Sequence, residues 1–389
     1  MVRYDNWFIK GVPYVLVLVF AAAFLYFGNQ MATEGMVVND DEPASTYNAR
    51  VVGVVNVTDH YSHFDEWQIF TFEAEITTRG QRRGEIVTFT QNTRGFFQER
   101  FVRVAEEGDR IMLMVSHAGA WSFVDYVRIY NVALLGLAFI LLLVLFCRAK
   151  GFNSVLSLLL TGLAVFAVFI PSVLSGRDIY FWSIVVCIYA IIVTLFVING
   201  VNRKSIAAVL GCLGGVLAAG LITFFMSRTM ELTGITQSES RVLLNLIPDS
   251  PIDLIAIIFA GIIIGAVGAI MDIAVSIASA LWELRIQLPD APFRTIFKSG
   301  ITIGKDILGS SINTLVLAYI GSSLTMVLFL LSHFNSVSRI LNRELVLVEL
   351  LQAIIGGFGI FLTMPLTAFF CALLFAKKRQ NVTSDTSPL

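Results

Sequence analysis

Charge is scarce in this chain: Asp, Glu, Lys and Arg make up 14% of its 389 residues, against roughly 25% in a soluble domain. Beside a hydrophobic share of 56%, that scarcity excludes an ordinary water-soluble globule and leaves an integral membrane protein. Cysteine is sparse as well. Cys147, Cys187, Cys212 and Cys371 all fall in apolar segments, so the hydrophilic stretch 29–128 has no thiol for a disulfide framework, and their wide separation gives no metal-ligand spacing. Catalytic signatures are missing too: there is no His-Glu-x-x-His, no Gly-x-Ser-x-Gly and no glycine loop with a phosphate-binding lysine. His117 and His333 stand outside any motif. These absences argue against an enzyme; no cofactor, metal or nucleic-acid partner is expected, and the surroundings to be matched are those of a lipid bilayer.

What fills the chain is apolar length. Residues 12–27 form an uncharged run after Arg3 and Lys10. It reads as a retained anchor and not a cleaved signal, because Phe24, Tyr26 and Phe27 stand where small residues would precede a cut. Seven further spans are expected at about 129–146, 152–170, 179–198, 206–226, 254–281, 301–331 and 346–375. The last three exceed a bilayer, so tilts or breaks are expected there. After the anchor, 29–46 reads as an acidic linker, and 47–128 changes to β-branched and alternating runs separated by turns such as Gly80 to Gly84 and Gly108-Asp109. Five or six strands forming a small barrel or sandwich fit that pattern, one of them over residues 101–104. Its nine arginines are interspersed with glutamates, which favours a solvated surface over an anionic partner. His60 and His63, beside Asp59 and Asp65, lack a metal-ligand spacing.

The expected fold is an α-helical polytopic membrane protein of about eight spans with an all-β extracytoplasmic domain inserted after the first. The divisions are a tip and anchor over 1–28, a linker over 29–46, the β-domain over 47–128, a seven-helix domain over 129–376 and a polar, disordered tail over 377–389. With the N-terminus inside, thirteen Lys and Arg fall in cytoplasmic connections and five in the short outer ones. The positive-inside rule thus places both termini in the cytoplasm and the β-domain outside.

Against this apolar background a few polar positions stand out. Asp272, Ser276, Ser279 and Glu283 lie along one long span, and Asp306, Ser310 and Asn313 along the next. Offsets of four and seven share a helix face, so each span carries a polar stripe. An ionised carboxylate among lipid tails costs several kcal/mol at least, so such a face must look into protein or water. Asp272 and Asn313 are expected at similar depth, with Asp272 either exchanging protons or binding a cation, or else hydrogen-bonded to Asn313 or Ser276. Glu283 and Asp306 are nearer the edge, where an ion pair with Arg285 or Lys305 is the alternative. In the last span Glu349 and Gln352 precede Gly356, Gly357, Gly359 and Pro365, a combination expected to break or loosen the helix. Gly211, Gly215 and Ala219, and likewise Gly261, Gly265 and Ala269, are expected to let helices approach closely.

Gly265, Gly268, Ala269, Asp272, Ser276 and Ile277, followed by Glu283-Leu284, resemble the signature of the bacterial YibE/F-like membrane proteins. So do Gly304, Asp306, Gly309 and Asn313-Thr314-Leu315, followed by Leu317-Ala318-Tyr319, and the later Pro365-Leu366-Thr367-Ala368. Ser310-Ser311 departs from that pattern, in which a threonine and a small or apolar residue are expected. The resemblance covers about 129–376, with the anchor and β-domain placed as in the YibE type. It implies a multi-pass bacterial plasma-membrane protein with a YibF-like subunit, or a second copy, as partner. The leading expectation is a secondary transporter or exporter of a small solute or ion, with Asp272 and Asp306 as coupling groups and Ser276, Ser279, Ser310, Asn313, Glu349 and Gln352 lining the path. The alternative is a non-transporting envelope sensor or scaffold that works through its β-domain.

Overall fold

A computed structural model describes residues 7–34, 45–61, 66–92, 103–116, 119–236, 240, 252–333 and 336–376, with side chains at 7–10, 59–61, 66, 67 and 92 excepted. Most of the acidic linker, the His60/His63 loop, the start of the strand expected at 101–104, His117 and the tail 377–389 lie outside the described residues or side chains. Two compact units emerge, residues 38–143 and residues 1–37 with 144–389.

The first unit is a closed five-stranded barrel. Strands β1 (Thr46–Tyr61), β2 (Glu66–Ile76), β3 (Ile86–Asn92), β4 (Arg110–Val115) and β5 (Trp121–Tyr126) close in the order β1-β2-β3-β5-β4. All neighbours are antiparallel except β3 and β5. This is the five-stranded Greek-key closure of the OB type, which leaves no long edge open to pairing. Closure falls to β1: it pairs with β4 through Thr46–Arg50 and with β2 from Ala49 onward, and register shifts near Val51 and Val54 let it curl between the two. Alternation drives the core. Phe72, Ala74 and Ile76 point inward while Glu73 and Glu75 face out, and Phe72 stacks on Phe89 at 5.3 Å. The one buried polar side chain among the described residues of this unit, Gln91, is satisfied at both ends. It donates to the Arg103 carbonyl at 3.0 Å and accepts from the Ala105 amide at 3.0 Å.

The second unit is a helical bundle. Its helices are α1 (Trp7–Thr33), α2 (Ile129–Ala164, shared with the first unit), α3 (Ile170–Leu174), α4 (Ile179–Asn199), α5 (Arg203–Thr229), α6 (Leu254–Gln287), α7 (Phe293–Ser322), α8 (Leu324–His333), α9 (Val337–Leu341) and α10 (Glu344–Phe375). Polar side chains set several starts. Asp178 accepts from the Phe181 amide, Asn202 from Ser205, and Asp253 from Ile255 and Ala256. Glu344 binds a turn distant in sequence, accepting from the Thr233 amide at 2.7 Å and the Gly234 amide at 2.6 Å, which ties the exit of α5 to the start of α10.

Among the described residues six helical segments are long and apolar enough to cross a membrane, and the bent pair α7–α8, angled by 59°, makes a seventh. The expected count of eight differs at one place. Residues Ile129–Leu174 form one stretch of 46 residues, where two spans were expected. The backbone of α2 leaves helical geometry at Arg148 (φ 50°, ψ −127°) within that stretch.

Helix α10 is the hub onto which α5, α6 and α7 pack, and glycine sets the approach. A Cβ at Gly211 would collide with Thr367, one at Gly214 with Leu366, and one at Gly215 with the Thr363 hydroxyl and the Gly359 carbonyl. The expected break in the last span does not occur. α10 runs unbroken through Gly356, Gly357, Gly359 and Pro365, because these glycines admit neighbours: Leu315 of α7 at Gly356, Ile312 at Gly357, Ile270 of α6 at Gly359. Pro365 removes one backbone donor, a loss that packing on three sides tolerates. The break falls instead at Ser323, between α7 and α8.

The glycines on α6 divide differently. Gly261 and Gly268 have nothing within 4 Å of a built Cβ. Gly211→Ala is therefore expected to cost at least about 1–3 kcal/mol through forced repacking. Gly268→Ala should be neutral or stabilising by up to about 1 kcal/mol from helix propensity. Thermal unfolding of the two variants in the same detergent checks the contrast.

Candidate functional site

Helices α6 and α7 run antiparallel across a short connection, and their register follows from two contacts: Gly300 faces Leu281, and Gly304 faces Ile277. Each step of four on one helix is matched by a step of four on the other. Carried upward, this register sets Ser276 level with Lys305 and Asp306, and Asp272 level with Gly309 and Ser310, one turn short of Asn313.

Both helices bury one side only. On α6, Ile263, Ala266, Ile270, Ile273 and Ile277 are buried, whereas Asp272, Ser276 and Glu283 are exposed and Ser279 is half-buried. On α7, Ile296, Gly300, Gly304 and Leu315 are buried, whereas Asp306, Ser310 and Asn313 are exposed. The polar stripes thus lie on the uncovered sides of two adjacent helices. Neither expected partnership forms among the described residues: Asp272 makes no hydrogen bond to Asn313 or Ser276, and neither Glu283 nor Asp306 pairs with Arg285 or Lys305. Ser310 donates to the Ile307 carbonyl at 2.8 Å, an ordinary use of a helical hydroxyl.

Where the two helices meet their connection, the groove widens into a cavity of about 790 Å³. It is lined on α6 by Ala280, Glu283 and Gln287 and on α7 by Arg294, Thr295, Lys298, Ser299 and Thr302. These positions continue the stripes by helical periodicity: 287, 283, 280, 276 and 272 share one face, as do 295, 299, 302, 306, 310 and 313. Glu283 therefore belongs to the mouth of the same groove that holds Asp272 and Asp306. In the sequence Arg294 and Lys298 count only among the thirteen Lys and Arg of the cytoplasmic connections, since nothing in their spacing shows that they line a cavity.

A second polar cluster sits further along. A Cβ at Gly265 would stand 2.9 Å from the Tyr319 hydroxyl and 3.1 Å from the Gln352 amide nitrogen, so α6, α7 and α10 converge there. Gln352 and Glu349, one turn apart on α10, are half-buried. The Tyr319 hydroxyl is buried, with the Gln352 side-chain amide as its polar neighbour. Gly265 lies seven residues from Asp272, about 10 Å along the helix, so Glu349 and Gln352 belong to this upper cluster and not to the carboxylate pair. In the sequence Tyr319 stands only within the Leu317-Ala318-Tyr319 block, and its aromatic character gives no sign of a buried hydroxyl. No group of three or more His, Cys, Asp and Glu able to hold a metal occurs among the described residues.

A bundle of long apolar helices, polar on one groove and joined to a small β-barrel, defines a polytopic membrane protein. The family model described as YibE/F-like protein matches residues 135–377, which include every polar position of the groove. The chain belongs to the YibE/F-like family. No curated protein and no solved structure matches it.

The Tyr319 hydroxyl yields a direct test. Removing one partner of a buried polar pair costs about 1–3 kcal/mol, so Tyr319→Phe, which takes away the hydroxyl beside Gln352, is expected to lower the thermal midpoint of the purified protein. A raised midpoint would mean that the hydroxyl is unpaired when the protein is folded in detergent.

Proposed function

We propose that the protein is a secondary transporter or exporter of a small solute or ion, with the α6–α7 groove as its path. One observation carries this reading: Asp272 and Asp306 occupy neighbouring stretches of two adjacent spans, on stripes that lead towards a cavity of about 790 Å³ whose wall carries Glu283, Arg294 and Lys298. Carboxylates held in spans are costly and mark ion or substrate pathways. In this reading Asp272 and Asp306 couple or bind, Ser276, Ser279, Ser310 and Asn313 line the path, and Glu349 and Gln352 serve its far end. Glu283, Arg294 and Lys298 form the mouth, and the protein does no covalent chemistry.

The membrane arrangement that goes with this reading has eight crossings, counting the two halves of α2 on either side of Arg148 separately. Both termini are in the cytoplasm and the barrel is outside a bacterial plasma membrane. Packing of α1 supports its role as a retained anchor: Val17 and Ala21 are buried beside Tyr189, and Ser175 donates to the Ala32 carbonyl at 2.5 Å. The exposed stripes need a cover. A second copy or a YibF-like subunit would supply it, and the open space beside Gly261, Gly268 and Gly309 suits a close-packed helix. The sensor or scaffold reading draws support from the barrel, which has a core of its own.

Purified protein in proteoliposomes loaded with a pH-sensitive dye, challenged with one solute or ion gradient at a time, separates the two. Transport predicts gradient-driven proton movement that Asp272→Asn abolishes and deletion of residues 35–125 leaves measurable. Activity that survives Asp272→Asn but disappears with the deletion would reject the groove as the path and favour the barrel as the working part.

A further inference from the structure

Outside the groove, a cavity rich in positive charge lies in the barrel unit. It has a volume of about 570 Å³ and is lined by Arg50, Arg79, Arg110, Thr77, Thr78 and Tyr130, among others, with no acidic residue in its wall. Arg50 on β1 and Arg110 on β4 are direct cross-strand partners, both exposed on the outside of the barrel. Like charges directly opposite each other on paired strands are destabilising. The nearest relief would be Glu75, which faces Arg50 from β2, yet among the described residues no ion pair forms there. Asp109 is taken by Arg103 at 2.8 Å. The arginines of this domain are thus not evenly offset by its glutamates: three of them converge with no ion pair among the described residues.

Tyr130 fixes what stands next to this cavity. It lies in the first turn of α2, and the apolar window of that helix stretch is 0% buried, as expected of a helix surface covered by lipid. The Arg110 guanidinium stacks on the Tyr130 ring at 5.4 Å. A tyrosine at the end of a lipid-facing helix marks the headgroup level, so three unpaired guanidiniums sit where phosphates are concentrated. Guanidinium groups bind phosphate through paired, charge-assisted hydrogen bonds, and an anion between Arg50 and Arg110 removes their repulsion. We propose that Arg50, Arg79 and Arg110 form a phosphate-binding site that holds the headgroup of an anionic phospholipid against the barrel.

The full-length protein, purified in detergent and incubated with phosphatidylglycerol or phosphatidylcholine, can be examined by native mass spectrometry beside an Arg50→Gln/Arg110→Gln variant. Juxtamembrane arginines favour anionic over zwitterionic lipid. The wild type is therefore expected to retain phosphatidylglycerol over phosphatidylcholine by at least about tenfold, and the variant to lose that preference. Adding inorganic phosphate separates the sources. Retention that persists identifies the lipid, whereas displacement by phosphate alone overturns the headgroup assignment in favour of a soluble anion. Thermal unfolding gives a readout independent of lipid retention. Without any anion the variant should melt at or above the wild type, since it has lost a like-charge pair, and phosphatidylglycerol should raise the midpoint of the wild type alone. Equal lipid retention and equal midpoint shifts in the two proteins would overturn the proposal.

Discussion

The close approach of α5, α6 and α7 onto α10 is the constraint from which the rest of the bundle follows. Between helices in a bilayer no hydrophobic driving force operates, so association depends on van der Waals fit and on backbones coming near one another. At Gly211, Gly214 and Gly215 the space of a side chain is already occupied by Thr367, Leu366 and Thr363, and at Gly300 and Gly304 by Ala368 and Met364. Those contacts fix α7 against α10 and α6, and hence the register that sets Asp272 level with Ser310. The polar groove has a defined geometry because the apolar side of each helix is locked.

The same constraint explains why α10 stays continuous. Glycine and proline weaken a helix only where nothing substitutes for the lost order. Around Gly356, Gly357 and Gly359 the missing side chains are replaced by Leu315, Ile312 and Ile270 from two other helices, so the glycines serve contact and not flexure. The break comes instead at Ser323. α7 ends there with its cap amide bonded to Tyr319, and the chain turns by 59° into α8.

Much of this was legible in the sequence because it depends on patterns along a single segment. Apolar length located the spans, alternation located the strands of a barrel, and offsets of four and seven placed Asp272 with Ser276 and Asp306 with Ser310 and Asn313 on common faces. What could not be read depends on pairs of segments. The sequence does not say whether Gly356 loosens its own helix or receives Leu315, because both call for the absence of a side chain. Nor does it fix the α6–α7 register to within a turn, which moved Asp272 from the level of Asn313 to that of Ser310. Arg294 and Lys298 looked like loop charges until α6 stood beside them, and Arg50 and Arg110, sixty residues apart in the chain, looked like part of a mixed surface until β1 and β4 paired.

Two sets of glycines, filled and unfilled, point to how the groove is completed. The filled set faces α10, and its contacts lie within this chain. Of the unfilled set, Gly261 and Gly268 lie on the same exposed side of α6 as Asp272 and Ser276, and Gly309 lies beside Ser310 on the exposed side of α7. Lipid gains nothing from a glycine and loses several kcal/mol against a carboxylate, so a lipid-facing surface has no use for either. A neighbouring helix has use for both: the glycines let its backbone come close, and its side chains shield the carboxylates while leaving a polar lumen between subunits. On the transport reading, the path is therefore walled by this chain on one side and by a second subunit on the other. The cavity lined by Glu283, Arg294 and Lys298, formed by α6 and α7 alone, is the part of that path which needs no partner.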